Sequence, residues 1–97
     1  MNPDDSPFEV TEQGSYSEVA DEQLDELEAG ADAGLYDAAL RACELIFGSP
    51  GLAQSMSAAI TTADGIIFRL PVPERPEWKV FWSSSRPRVE AVLRYPT

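Results

Sequence analysis

Apolar residues in the first part of the chain recur at the spacing of an α-helix. Four of them stand at successive intervals of four, four and three residues: Tyr16, Ala20, Leu24 and Leu27. This spacing places all four on one stripe of a helix, while the acidic residues between them mostly face water. Ser15 is followed three residues later by Glu18, a capping-box pattern that predicts a helix start at Ser15.

A second and clearer helix is predicted over residues 35–47. Its apolar positions repeat at i, i+3, i+4, i+7, i+10 and i+11 and are Tyr36, Ala39, Leu40, Cys43, Ile46 and Phe47. Asp32 is a candidate N-terminal cap, and the Gly-Ser-Pro-Gly turn of residues 48–51 predicts the end of the helix. Two antiparallel helices joined by a short loop form a hairpin whose apolar stripes require another surface to cover them.

The second part of the chain supplies this surface, because its apolar period changes from 3.6 to 2 from residue 57 onward. Four strands are predicted, over residues 59–61, 66–70, 78–82 and 88–94. Asp64-Gly65 predicts a hairpin turn, and the three prolines of residues 71–77 predict a loop. A further short strand is predicted over residues 8–11, where apolar and polar residues alternate.

This order of elements predicts an α+β fold. We expect an antiparallel sheet of about four to five strands with the N-terminal helical hairpin packed on one face. Residues 1–7 contain two prolines and two aspartates and are expected to form a disordered tail. Residues 8–97 are expected to form a single domain, because a chain of 97 residues is long enough for one modest core.

Alternation along the strand of residues 78–82 assigns its side chains to two faces. Trp78, Val80 and Trp82 share one face, and we expect them to pack against the helices. Stacking on a nucleic-acid base is the alternative for the two tryptophans. Cys43 lies on the apolar stripe of the second helix and is expected to be a small core residue.

The composition excludes several kinds of chemistry. The chain has no histidine and one cysteine, so it can form neither an internal disulfide nor a zinc site of the usual ligands, and it cannot build a Ser-His-Asp or Cys-His arrangement. We therefore expect no metal and no cofactor. No apolar run approaches the roughly 18 residues of a membrane helix. Residues 1–9 lack the features of a signal peptide, so we expect a cytoplasmic protein without a membrane partner.

The net charge of −10 is distributed unevenly. Residues 1–44 hold thirteen of the seventeen acids and one base, which gives −12, whereas residues 45–97 carry +2. Such asymmetry is typical of a surface for a charged partner, and it fits solvated acidic helix faces equally well. The candidate partner-binding residues are four acids of the first predicted helix: Asp21, Glu22, Asp25 and Glu26.

Four segments carry a resemblance to a known family. They are ALRACELIFGSPG around the end of the second predicted helix, and GIIFRLPV, WKVFW and VEAVLRYP in the predicted strands. In element order and local pattern, residues 8–95 resemble the RelE/ParE toxin superfamily of bacterial toxin–antitoxin systems. The resemblance implies a growth-inhibiting protein that acts on the translation or replication machinery. It includes ribosome-dependent mRNA interferase activity among the implied functions, with ribosome and mRNA as targets and a cognate antitoxin as partner.

The resemblance also implies site residues on the open face of the sheet. Matched by position, the family's basic residues and its tyrosine would be Arg69, Lys79, and Arg94 or Tyr95. RNA cleavage by 2′-OH attack requires a base near the sugar, cations on the phosphate and a donor for the leaving oxygen. We expect Arg69, Lys79 and Arg94 to lie together on this face, which should be the more polar one. The alternative is that these cations and Glu90 form cross-strand ion pairs on a solvated face.

A function of a different class is a non-catalytic acidic interaction protein that binds a basic protein partner, such as an inhibitor or a phage factor directed at its host. Two features favour this alternative. The first is the −12 charge of residues 1–44. The second is Pro71, which stands two positions after Arg69, where the family carries a second basic residue.

Overall fold

The computed structural model describes residues 15–84 and 86–96. These residues form three helices and five strands: β1 (Ser15–Tyr16), α1 (Glu18–Ala29), α2 (Ala33–Gly48), α3 (Pro50–Ser55), β2 (Ala58–Thr62), β3 (Gly65–Val72), β4 (Arg75–Ser83) and β5 (Arg88–Arg94). The strands form one sheet in the order β1-β5-β4-β3-β2. All pairs are antiparallel except β1 with β5. The predicted α+β fold is confirmed, whereas the predicted tail of residues 1–7 and strand of residues 8–11 lie outside the described residues.

The first helix begins two residues later than its capping-box pattern predicts. Ser17, not Ser15, is the N-terminal cap, because its hydroxyl accepts a hydrogen bond from the Ala20 N–H at 3.0 Å. Ser15 and Tyr16 instead form β1, which pairs in parallel with the start of β5. Tyr16 therefore leaves the predicted helical stripe, and its ring packs edge-to-face against Phe47 of α2 at 5.3 Å.

The second helix is close to its prediction. Asp32 caps it as expected, since its carboxylate accepts a hydrogen bond from the Leu35 N–H at 2.9 Å. Arg75 also binds this carboxylate at 2.6 Å, and the guanidinium, with the Leu35 N–H, holds the pKa of Asp32 below its usual value. The turn of residues 48–51 ends α2 as predicted, but it leads into α3, which the sequence did not predict. Pro50 occupies the first turn of α3, where a missing N–H costs nothing.

The proline-rich loop predicted over residues 71–77 is much shorter in the structure. Pro71 lies inside β3, and β4 already begins at Arg75. The register between β3 and β4 shifts between Pro71 and Val72, so the residue that cannot donate a ladder hydrogen bond stands where the ladder is irregular. Glu74 adopts a positive φ of 68° in the remaining tight turn.

The core lies between the helices and one face of the sheet. Strand residues Phe68, Leu70, Val72, Val80, Trp82, Val89 and Val92 are buried there together with helix residues Ala20, Leu24, Ala38, Ala39, Ala42, Cys43, Ile46 and Ala53. The core assignments of Trp82 and Cys43 are confirmed, with 0% and 1% exposure. Trp78 is half-buried and packs against the same cluster, as its alternation with Val80 predicts.

Polar groups of α1 and its cap complete the β5 side of the sheet. β1 pairs only with the first residues of β5, and beyond β1 the side chains of Ser17 and Gln23 form hydrogen bonds with the β5 backbone. The Ser17 hydroxyl donates to the Glu90 carbonyl at 2.6 Å, and the Gln23 side-chain oxygen accepts from the Val92 N–H at 2.6 Å. These two contacts fix the acidic helix along this edge of the sheet, and the acidic side chains of the helix are exposed to solvent.

Candidate functional site

The sheet face opposite the helices is the candidate functional surface. Side chains that alternate with the buried ones point to it from the four antiparallel strands: Ala58, Ile60, Ile67, Arg69, Pro71, Lys79, Phe81, Ala91 and Leu93. The expectation of a more polar face is only partly met, because its middle is lined by half-buried Ile60, Ile67, Phe81 and Leu93. The charged residues among these side chains are Arg69 and Lys79, and the candidate site is built around Arg69.

Arg69, Phe81 and Tyr95 form a basic–aromatic cluster on this face. Arg69 and Phe81 are cross-strand partners in β3 and β4. Tyr95 follows β5, and its ring lies 5.6 Å from that of Phe81 in an edge-to-face arrangement. The guanidinium carbon of Arg69 lies 5.1 Å from the centroid of the Tyr95 ring, within the range of a cation–π contact. Tyr95 is 38% exposed, so the cluster is accessible from solvent.

Lys79 lies on the same face, as predicted, but its ammonium group points into the protein. The residue is only 5% exposed. Its Nζ donates hydrogen bonds to the Pro76 carbonyl and, at 3.0 Å, to the Tyr95 carbonyl. The Tyr95 N–H in turn donates to the Glu77 carbonyl at 2.7 Å. Lys79 therefore ties the segment after β5 to the start of β4 and positions Tyr95, instead of presenting a charge to a ligand.

Arg94 does not join the cluster, and its predicted placement on the open face is wrong. A β-bulge at Glu90 changes the alternation of β5, because Phe81 pairs with Ala91 while the next residue, Trp82, pairs with Val89. Every residue after the bulge is thereby moved to the face opposite to the one that simple alternation assigns. Arg94 becomes the cross-strand partner of Trp78, on the helix side of the sheet.

The predicted network of cross-strand ion pairs is also absent. Among residues 15–84 and 86–96, none of Arg69, Lys79 and Arg94 forms an ion pair with a carboxylate. Glu90 instead pairs with Arg88 of its own strand at 3.3 Å and accepts a hydrogen bond from the Ser83 hydroxyl at 3.0 Å. These groups line a separate cavity of about 750 Å³ near the β2–β3 turn.

A second cavity, of about 410 Å³, lies beside the basic–aromatic cluster. Arg69, Lys79, Pro71 and Pro76 line it on the sheet side, and Met56 and Ala58 line it where α3 leads into β2. Ser55 and Ser57 complete the lining, so its wall is mixed in polarity, and Arg69 and Lys79 are its charged residues. An extended anionic or planar group could therefore rest on the cluster and enter this cavity, with Arg69 making two parallel hydrogen bonds to a carboxylate or phosphate.

The four acids proposed for partner binding are brought together by α1. Asp21, Glu22, Asp25 and Glu26 are all exposed, and none of them forms an ion pair within the described parts of the chain. Val19, beside them on α1, is 54% exposed. The acidic surface and the basic–aromatic cluster are separate features, since α1 packs along β5 and β1 on the other side of the sheet.

The buried Cys43 and the half-buried Tyr16 form a pair that the sequence did not predict. Burial raises the pKa of the Cys43 thiol to about 12, although the neighbouring Tyr16 hydroxyl acts in the opposite direction. Burial, and then the thiol beside it, raise the pKa of Tyr16 above its usual value. Both groups are therefore protonated at neutral pH, and the thiol is a packing group and not a nucleophile.

Two further findings concern other kinds of site. Within the described ranges, no three His, Cys, Asp or Glu side chains are grouped so that they could bind a metal ion. In the same parts of the chain, no helix combines the length and the apolar character needed to cross a membrane.

Fold and site together define a small α+β protein in which helices cover one face of a five-stranded sheet and the other face carries a basic–aromatic cluster. Comparisons with protein-family models, with curated proteins and with solved structures gave no match to this chain. The functional argument therefore rests on the geometry of the chain itself. Sequence reasoning found Arg69 and Tyr95 but did not assign a role to Phe81, although alternation with Trp82 had already placed it on the open face.

Proposed function

We propose that this protein is a RelE/ParE-like toxin-fold protein that inhibits bacterial growth by binding a component of the translation or replication machinery. In this proposal the basic–aromatic cluster is the contact surface, and the protein does not cleave RNA. The observation that carries the proposal is the contact of the half-buried Arg69 with the exposed Tyr95 ring, which packs against Phe81 on an open sheet face. Such a surface suits an anionic or planar group on a macromolecular target.

The order of elements supports the comparison with the toxin superfamily on which the proposal draws. A helical hairpin precedes a meander of four antiparallel strands, β2 to β5, and covers one face of it. The segments that carry the resemblance lie in α2, β3, β4 and β5. Fold alone does not define a function, so the choice between binding and cleavage depends on the site residues.

The site residues favour binding over cleavage. A nuclease of the expected type needs several cations on the phosphate and a group that can transfer protons. Of the four residues that the resemblance suggested, only Arg69 and Tyr95 are placed to meet a ligand. Lys79 is buried on two carbonyl groups, and Arg94 lies across the sheet. One guanidinium and one phenol can hold a phosphate or a base but lack a positioned general base.

The proposal is tested by inducing the wild-type protein in a bacterial host and following growth together with the 5′ ends of cellular transcripts. We expect growth to stop after induction without the appearance of new transcript ends. Continued growth would contradict the inhibitory function. Growth arrest accompanied by new ends, lost when Tyr95 is replaced by phenylalanine, would contradict the binding mode and restore an RNase mechanism.

The second candidate function is an acidic interaction protein, and the exposed acids of α1 are the observation that favours it. Helix α1 carries six acids and no base within twelve residues. The same growth assay separates the two functions. Neutralisation of the helix by D21N, E22Q, D25N and E26Q should leave growth arrest intact if the basic–aromatic cluster is the contact surface. Loss of arrest in this variant would favour the acidic surface and a basic protein partner.

A further inference from the structure

The two edges of the sheet are built very differently. On one side, β1 has only two residues, and α1 covers the rest of β5 through Ser17 and Gln23. The other edge is β2, which pairs with β3 in five successive positions and, among residues 15–84 and 86–96, has no strand on its outer side. An uncovered edge of this kind presents backbone donors and acceptors that can pair with another strand.

The register of the hairpin identifies the groups that point outward from β2. Thr62 pairs with Gly65 across a two-residue turn, so these two residues form a hydrogen-bonded pair. Hydrogen-bonded positions alternate along an antiparallel strand, which directs the N–H and C=O groups of Ala59 and Thr61 away from β3. Both residues are exposed. The free side of β2 therefore offers two donors and two acceptors in a straight row.

β2 lacks the features that normally prevent edge pairing. Its sequence, Ala-Ala-Ile-Thr-Thr, contains no lysine, no proline and no charged residue. The register with β3 is regular along the whole strand, so no bulge twists the edge away. β-branched residues at three of its five positions also favour an extended strand. The edge is therefore competent to accept a further strand.

Apolar side chains flank this edge on both faces of the sheet. Ile60 is half-buried on the open face beside Ile67. Ile66, the cross-strand partner of Thr61, is 53% exposed on the helix side, and Leu52 and Met56, which precede β2, are both 55% exposed. A strand added to β2 would gain apolar contacts as well as backbone hydrogen bonds.

The distribution of charge favours a second copy of the same chain as the occupant. Two copies carry −10 each and repel one another over most of their surface. Residues 49–68 contain a single charged residue, Asp64, so the β2 edge is the region where two copies can approach with the least repulsion. The six acids of α1 lie along β5 and β1, at the far side of the sheet.

We propose that two copies of this chain associate through antiparallel pairing of their β2 strands, which joins their sheets into one. In this arrangement Ile60 faces Ile60 of the second copy on the two-fold axis, and Ala59 exchanges hydrogen bonds with Thr61 of the second copy. This register places the one large apolar side chain of β2 opposite itself. It also keeps Asp64 of each copy beyond the end of the paired strand, so that the two carboxylates do not meet.

Sedimentation velocity of the 97-residue chain over a range of concentrations tests the association. We expect a species of twice the 10.6 kDa chain mass at high concentration, dissociating on dilution because the paired strands are short. Thr61→Pro removes an outward N–H without affecting the ladder with β3, and it should give a monomer. A wild-type protein that is monomeric at all concentrations would overturn the proposal. A strand of another protein would then be the remaining candidate for pairing with β2.

Two substitutions of Ile60 test the same pairing without introducing a proline. Ile60→Lys places two like charges directly opposite each other and should abolish the dimer, whereas Ile60→Val keeps a β-branched apolar residue and should retain it. Circular dichroism shows whether each variant is folded. A folded Ile60→Lys variant that still dimerises would overturn pairing through β2.

Cysteine cross-linking tests the register. In the proposed pairing the two Ile60 Cα atoms lie about 4.5 Å apart, within disulfide range, whereas the two Thr62 Cα atoms are separated by about 13 Å. Under mild oxidation Ile60→Cys should form a covalent dimer, and the matched Thr62→Cys should not. Cys43 is buried and does not compete. Equal cross-linking of both variants, or of neither, would overturn the register.

Discussion

Neighbouring residues of β4 show how burial decides the role of a side chain. Trp82 and Lys79 are both almost inaccessible to solvent. Trp82 lies in the core, whereas Lys79 lies on the open face, where its ammonium group is hydrogen-bonded to the backbone carbonyls of Pro76 and Tyr95. Alternation along the strand predicted the face of each residue correctly. Alternation could not predict that the Lys79 ammonium group donates its hydrogen bonds within the protein, because one acceptor, the Tyr95 carbonyl, lies sixteen residues away in the sequence.

The Trp82 side chain should make one of the largest single contributions to stability. It is fully buried, lies 5.1 Å from the Phe68 ring, and donates its indole N–H to the Ser57 hydroxyl at 3.1 Å. We expect Trp82→Ala to lower the free energy of unfolding by about 3–5 kcal/mol. Trp82→Phe should cost less, since it keeps most of the apolar volume. Urea denaturation measures both, and an unchanged midpoint for Trp82→Ala would contradict the assignment of the two sheet faces.

The Cys43 thiol should make stability depend on pH in the alkaline range. Its pKa is about 12 in the folded protein, against about 8.5 in an unfolded chain. The unfolded state therefore loses its proton first, so this contribution is fully present below about pH 8.5 and is lost as pH rises toward 12. Tyr16, whose pKa is also raised, acts in the same direction at higher pH.

Urea midpoints between pH 7 and 10 test this expectation against a Cys43→Ala variant. The variant should be less stable at pH 7, because it loses buried atoms, but its stability should fall less steeply as pH rises. Parallel pH profiles of the two proteins would mean that the thiol titrates alike in both states. Modification by a thiol reagent at pH 8 should likewise be slow until the protein is unfolded.

At the scale of elements, the sequence predicted strands and helices better than their irregularities. The periodicity of β5 and α2 was strong enough to place both within about two residues of their observed ends. Three features were missed for physical reasons. α3 has only six residues, too few for a periodic pattern, and β1 depends on pairing with β5 far along the chain. The bulge at Glu90 has no signal in hydrophobic alternation, and it alone moved Arg94 out of the candidate site.

The contact between α1 and β5 can be tested by replacing one side chain. Gln23 accepts a hydrogen bond from the Val92 N–H, which lies beyond the end of β1 and has no strand partner on that side among the described residues. Gln23→Ala leaves this donor unsatisfied in a partly buried position, and we expect a loss of about 1–3 kcal/mol. The neighbouring Glu22→Ala, at an exposed position, should change stability by no more than about 0.5 kcal/mol. Equal stability of the two variants would show that α1 is held by its apolar stripe alone.

At the scale of the whole molecule, three surfaces of different character are kept apart by the sheet. The acidic helix α1 lies along β5 and β1, the uncharged strand β2 forms the opposite edge, and the basic–aromatic cluster lies on the open face between them. Their separation allows a target to bind the open face while the acidic helix remains in solvent. It also allows each surface to be changed without altering the other two.

In the proposed function, Arg69, held beside Tyr95 and Phe81, is the residue through which the protein inhibits growth. The most direct measurement compares bacterial growth after induction of the wild-type protein, Arg69→Glu and Arg94→Glu. The two substitutions reverse the same charge on opposite faces of the sheet, and equal melting temperatures and equal expression would make them a matched pair. We expect wild type and Arg94→Glu to arrest growth, whereas Arg69→Glu should not. Growth arrest by Arg69→Glu, or its loss in Arg94→Glu alone, would contradict this expectation.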